Sequence, residues 1–159
     1  MIPGMTATTA DAPRLADEVH TSAVWIARAL ESSGYRADFT PMSLRDVERF
    51  MAEHSDHGIA VEGGLLATGL GPRLFALGAY LGETVRRSAG GSWEADDDAP
   101  PGEADIRLRL PDGSVIRPVQ RILKRCQHGY EDSLIGCAMG LGLQPARPRA
   151  RWRRRARTR

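Results

Sequence analysis

The sequence predicts an α+β fold: N-terminal helices, a central glycine-bearing helix packed on a small antiparallel sheet, C-terminal helices, and a disordered basic tail. Three observations predict it. Apolar residues recur at three- and four-residue spacing over residues 15–30, 44–51 and 74–85, which is the helical period. Ile106, Leu108 and Leu110 instead alternate with Arg107 and Arg109, the period-two pattern of a half-buried strand. Glycines collect between these segments, except for Gly78 and Gly82, which fall inside the third helical stretch.

Taken in order, residues 1–10 are small and polar and are expected to form a mobile leader. Asp11 is placed to cap a helix whose stripe is Leu15, Val19, Ala23, Ile26 and Leu30, ending at Gly34. Ser43 followed by Asp46 resembles a capping box opening a second helix, with Leu44, Val47, Phe50 and Met51 on one face. A glycine-rich connection runs from Gly58 to Gly71, and Pro72 suits the first turn of a third helix carrying Leu74, Leu77, Tyr80, Leu81 and Val85. Gly78 and Gly82, four residues apart, would let another segment approach this helix closely, so it is read as central. Gly90 and Gly91 end it, and Trp93 begins a short strand. After an acidic loop from Glu94 to Glu103, residues 105–117 form a hairpin turning at Pro111-Asp112-Gly113, with Trp93 on a third antiparallel strand. Two helical stretches follow, 119–127 and 131–141, broken at His128 and Gly129.

The chain has 159 residues, 42% of them apolar and 26% charged, a composition and length that suit one folded domain. That domain is assigned to residues 11–145 and the tail to 146–159. The formal net charge of +2 hides an asymmetry. Eight arginines and no acid lie in the last fourteen residues, so setting those eight aside leaves 14 bases against 20 acids, a balance of −6 for the rest. Such asymmetry points to a tail that contacts an anionic partner or folds back on an acidic body. No stretch approaches the length of a membrane span, no signal-peptide pattern opens the sequence, and the two cysteines, Cys126 and Cys137, suit reduced thiols. A cytoplasmic location without membrane contact is expected.

Little in the sequence has the spacing of chemistry. His54, His57, Cys126, His128 and Cys137 are zinc-ligand types, but they lack the close pairs of structural zinc sites. Gly69-Leu70-Gly71-Pro72-Arg73 precedes a helix N-terminus, yet it has no Gly-Lys-Ser/Thr and no third glycine. Glu83, Arg86, Arg87, Glu131 and Asp132, or Ser133 with His128, form no recognised catalytic motif, and Glu83 with Arg86 and Arg87 reads as ordinary intrahelical pairing on a solvent face. No enzyme activity, metal or cofactor is expected.

Four blocks carry a resemblance: LGAYLGETVRR (77–87), GGSW (90–93), PDGSVIRP (111–118) and RILKRCQHGYEDSL (121–134). In this order they resemble a loosely defined group of small, uncharacterised bacterial α+β domains, immunity-like proteins among them. The resemblance implies a glycine-bearing helix on a small antiparallel sheet followed by a further helix, and it brings no catalytic residues. The expected function is therefore a cytosolic accessory or immunity-like protein whose acidic body binds another protein, with Trp93 as anchor beside Glu94, Asp96, Asp97 and Asp98. The alternative is association with nucleic acid through Arg147, Arg149, Arg151, Trp152, Arg153, Arg154, Arg155 and Arg157, where guanidinium groups contact phosphates and the indole stacks on a base.

Overall fold

The computed structural model describes residues 11–95 and 106–145; the leader, most of the acidic loop and the arginine-rich tail lie outside them. The architecture is α+β. Helix α1 (Asp11–Ser32) leads to a 3-10 turn (Pro41–Ser43) and α2 (Leu44–His54). A two-stranded hairpin, β1 (Ser55–Asp56) and β2 (Ile59–Ala60), precedes α3 (Leu70–Ala89). Strands β3 (Ser92–Ala95), β4 (Ile106–Arg109) and β5 (Val115–Ile116) form an antiparallel sheet in chain order. Helix α4 (Pro118–His128), a 3-10 turn (Gly129–Asp132) and α5 (Leu134–Gly140) complete the domain.

Helix α3 is central, as its composition predicts. Leu74 and every residue from Ala76 to Val85 are buried, a helix enclosed on all sides and not an amphipathic surface helix. Its principal partners are α1 on one side and α4 on the other. The two internal glycines are the reason that α4 and β3 can come so close. A Cβ at Gly78 would stand 2.6 Å from the Cα of Val119, and one at Gly82 would overlap the indole of Trp93 and meet Pro118. Pro118, which stands between the expected hairpin and the next helical stretch, opens α4, where its missing N–H costs nothing.

Trp93 pairs with Leu108 and Glu94 with Arg107 across β3 and β4. The pleat therefore sends Trp93, Ile106 and Leu108 into the core and leaves Glu94, Arg107 and Arg109 on the opposite face. The β4–β5 turn closes as expected: Asp112 accepts the Ser114 N–H at 2.8 Å, and Gly113 takes φ of 87°.

Two local expectations are corrected. Ser43 does not cap α2 with its side chain. Its hydroxyl donates to the Thr40 carbonyl at 2.6 Å and shares a 2.5 Å hydrogen bond with Tyr80, whose oxygen also accepts the Phe39 N–H at 3.0 Å. Asp46, the other half of the expected box, accepts the Arg36 N–H instead. The glycine-rich connection also contains an unforeseen hairpin, β1–β2. Its two-residue turn is His57-Gly58, both at positive φ (47° and 84°), as a primed turn requires. The Gly58 N–H ties this turn to the Cys126 carbonyl at the end of α4 (2.7 Å).

Candidate functional site

Of the five residues expected to bind a protein partner, Trp93 and Glu94 lie among the described residues. Trp93 is 5% exposed, and its Nε1–H donates to Glu83 Oε1 at 2.7 Å. It is a core residue and not an exposed anchor, because the small side of Gly82 gives its ring a bed on α3. Glu94 is held by Arg107 (2.9 Å) and Arg109 (2.7 Å), so its charge is neutralised within the sheet. Asp96, Asp97 and Asp98 lie outside the described residues, as do the arginines and Trp152 of the tail.

Glu83 itself departs from the solvent-face reading. It is 1% exposed, with Arg86 making bonds of 2.7 and 3.0 Å to its two oxygens and Arg87 at 3.7 Å. Burial pushes its carboxyl up, but the hydrogen bonds of Arg86 and Trp93 and the charges of Arg86 and Arg87 outweigh that and hold it below the ordinary value. A carboxyl lowered in the folded state contributes stability above its unfolded titration, and that contribution is lost as pH falls through the folded value. Replacing Trp93 by Phe keeps an aromatic side chain in the core but leaves a space where the larger indole lay and withdraws one donor from this carboxylate. The lost donor is expected to cost about 1–2 kcal/mol at neutral pH beyond the packing loss, and this part shrinks in acid as Glu83 protonates. Chemical denaturation at neutral and acidic pH checks this, and a loss independent of pH would mean that packing alone is felt.

The remaining candidate groups are also tied into structure. His54 accepts the Leu65 N–H at Nδ1 (3.1 Å), which leaves Nε2–H to donate to the Tyr35 hydroxyl (3.0 Å); Tyr35 in turn donates to Glu53. This chain straps the glycine-rich connection onto α2, and burial followed by the bond to Glu53 pushes the Tyr35 phenol up to about 12. Arg73, the last residue of the glycine-containing run at the start of α3, donates to the Leu65 carbonyl of the same strap. His128 pairs with Asp132 at 2.5 Å and not with Ser133, while Ser133 donates to Glu48 at 2.7 Å. Among the described residues no group of His, Cys, Asp or Glu is arranged to hold a metal ion. Both cysteines are free thiols, Cys126 buried and Cys137 partly so.

The surface features that stand out were not foreseen. Trp25 on α1 is 51% exposed and sits over a hollow of about 540 Å³ with Arg28, His20 and Val24. Beneath it a smaller, mainly apolar hollow of about 110 Å³ reaches Phe50 and Leu65. A second cleft of about 570 Å³ lies between β5, α4 and α5, bordered by Arg121, Tyr130 and Gly136. Trp25 lies off the helical stripe of Val19, Ala23, Ile26 and Leu30, all of which are buried, so the period of α1 already turns its indole to solvent. No family model, curated protein or solved structure matches the chain. Among the described residues no helix is long and apolar enough to cross a membrane.

Proposed function

We propose that this chain is a non-catalytic accessory protein of the cytoplasm, immunity-like in kind, that binds another protein through the outer face of α1. The observation that carries the reading is the half-exposed Trp25 between two hollows. A large indole left in water while the rest of the helix buries its apolar face is the kind of residue that anchors protein interfaces. Arg28 stands one turn further along the same face and makes no ion pair among the described residues. The partner suited to this surface presents an apolar side chain to the hollow beneath Trp25 and a carboxylate to Arg28. The free thiols fit a reducing compartment.

The test is a tagged pull-down from native lysate after nuclease treatment, with the full chain and with its Trp25→Ala and Arg28→Glu variants. Both substitutions are on the surface, so melting temperatures are expected to stay within about a degree or two of the parent. A single stoichiometric protein should be recovered by the parent and bound at least tenfold more weakly by Trp25→Ala. Equal recovery by both would remove this face from consideration.

A further inference from the structure

We infer that His54 is a pH-operated latch: its neutral imidazole holds residues 61–65 of the glycine-rich connection against α2, and its protonation releases them from the wall of the hollow beneath Trp25. That this hollow seats a partner rests on the reading above; the latch itself does not.

Two hydrogen bonds fix the state of the ring. A backbone N–H can only donate, so the 3.1 Å contact from the Leu65 N–H makes His54 Nδ1 an acceptor that carries no proton. The Tyr35 hydroxyl gives its one proton to Glu53, so its oxygen takes the Nε2–H of His54 at 3.0 Å. Tyr35, pushed up to about 12 by burial and then by Glu53, keeps that proton throughout the range in which imidazoles titrate. A protonated imidazole carries hydrogen on both nitrogens, and its Nδ1–H then faces the Leu65 N–H, donor against donor. Of the charged groups around the ring, Glu53 favours the imidazolium but reaches it only through the Tyr35 hydroxyl, and Arg49 offsets it from 3.6 Å. Arg49 also lies over the Tyr35 ring and takes Asp46 at 3.6 Å. On the connection, Asp56 and His57 pair with each other, and Glu62 is exposed and makes no ion pair among the described residues. From α3, Arg73 contacts the Leu65 carbonyl.

The release is local because neighbouring residues are held unequally. Leu66 is fully buried and anchors the connection in the core. Leu65 is 41% exposed and its bond to His54 lies at the surface, so water can take over the N–H once the imidazole lets go. Gly64 permits the approach, for a Cβ there would stand 3.0 Å from His54 Nδ1. The His54 ring lies on Phe50 with centroids 4.7 Å apart, and Phe50 and Leu65 both line the hollow that reaches Trp25. Losing the Leu65 bond therefore moves one wall of the hollow and leaves the buried stripe of α1 in place. The sign follows from the unprotonated acceptor. The wall is held at neutral and alkaline pH and is freed as pH falls through the range in which histidines gain a proton, about 8 to 5.

NMR of the full chain, titrated from about pH 8 to about pH 5.5, tests the latch. At the alkaline end the imidazole nitrogens of His54 should report the Nε2–H tautomer. As pH falls, the Leu65 amide shift should follow the His54 midpoint, and its exchange protection, corrected for the intrinsic pH dependence of exchange, should drop about tenfold. His54→Asn sets an amide oxygen near the place of Nδ1 and takes up no proton in this range, so the Leu65 response should vanish. Gly64→Ala crowds Nδ1 and should lower the Leu65 protection already at neutral pH. His20 also borders the Trp25 hollow and lies 3.9 Å from Glu83. In His20→Gln the Leu65 response should persist, and the Leu65 methyl and Trp25 indole resonances should shift with the same midpoint. A Leu65 amide that does not follow His54, or an unchanged response in His54→Asn, would overturn the latch and leave the Trp25 reading untouched. A latch that titrates as expected in a chain that recovers no partner would remove the Trp25 reading and leave the latch standing.

Discussion

Replacing Glu48 by alanine is expected to destabilise the domain by about 3–5 kcal/mol, enough to consume much of the stability of a chain this size. Glu48 is 6% exposed and Arg125 3%. One carboxylate oxygen takes the Arg125 Nε–H at 2.5 Å, while the other accepts the Ser133 hydroxyl at 2.7 Å and the Leu134 N–H. This single side chain therefore joins α2 to α4 and supplies a partner for the first turn of α5. Its removal leaves a guanidinium in the interior without a counter-charge and a helix N–H without an acceptor. Attraction between the two charges is not the main term, because burying both already costs several kcal/mol. The asymmetry lies in breaking the pair: the double replacement Glu48→Leu with Arg125→Met should be less damaging than the sum of the two single changes by more than 1 kcal/mol. Urea unfolding of the parent, Glu48→Ala, the two single replacements Glu48→Leu and Arg125→Met, and their combination checks both expectations, and strict additivity in the cycle would show that the pair is not coupled.

The second large effect is expected at Gly78. Alanine in a helix interior is ordinarily favoured over glycine by about 1 kcal/mol, so a neutral environment predicts stabilisation. At Gly78 the added Cβ would stand 2.6 Å from both Cα and Cγ2 of Val119 and 2.9 Å from its backbone nitrogen. The obstacle is backbone, which cannot rotate away, so α4 has to move off α3. Overpacking of this kind costs about 1–3 kcal/mol or more, and a net loss of about 2 kcal/mol is expected for Gly78→Ala. Gly71 is the matched control: it lies in the first turn of the same helix, and a Cβ there meets nothing within 4 Å. Gly71→Ala should be neutral or stabilising. Thermal unfolding of both variants decides the matter, since equal stability of the two would mean that α3 and α4 are not in close approach.

These cases mark how far the sequence could be read. The four-residue glycine spacing signalled a close approach to α3, and the structure brings Val119, Trp93 and Pro118 there. The hairpin was legible because a period-two run, a Pro-Asp-Gly turn and a returning apolar pair are all local. The β1–β2 hairpin was missed because His57 takes the positive φ that glycine or asparagine ordinarily signals. Glu48 with Arg125 was missed for another reason: the two are 77 residues apart, and nothing local in α2 or α4 distinguishes a buried carboxylate from an exposed one.

Periodicity and turn chemistry are short-range properties, so the sequence by itself determined the helices, the three-stranded sheet and the central place of α3. The register of whole elements on one another is a sum of many distant contacts, and only the tertiary structure decided it. That register turned Trp93 inward onto Glu83, whereas Trp25, off the apolar stripe of its helix, remained in solvent. The hollow beneath Trp25 exists only because α1, α2 and the glycine-rich connection pack together, and no one segment carries it.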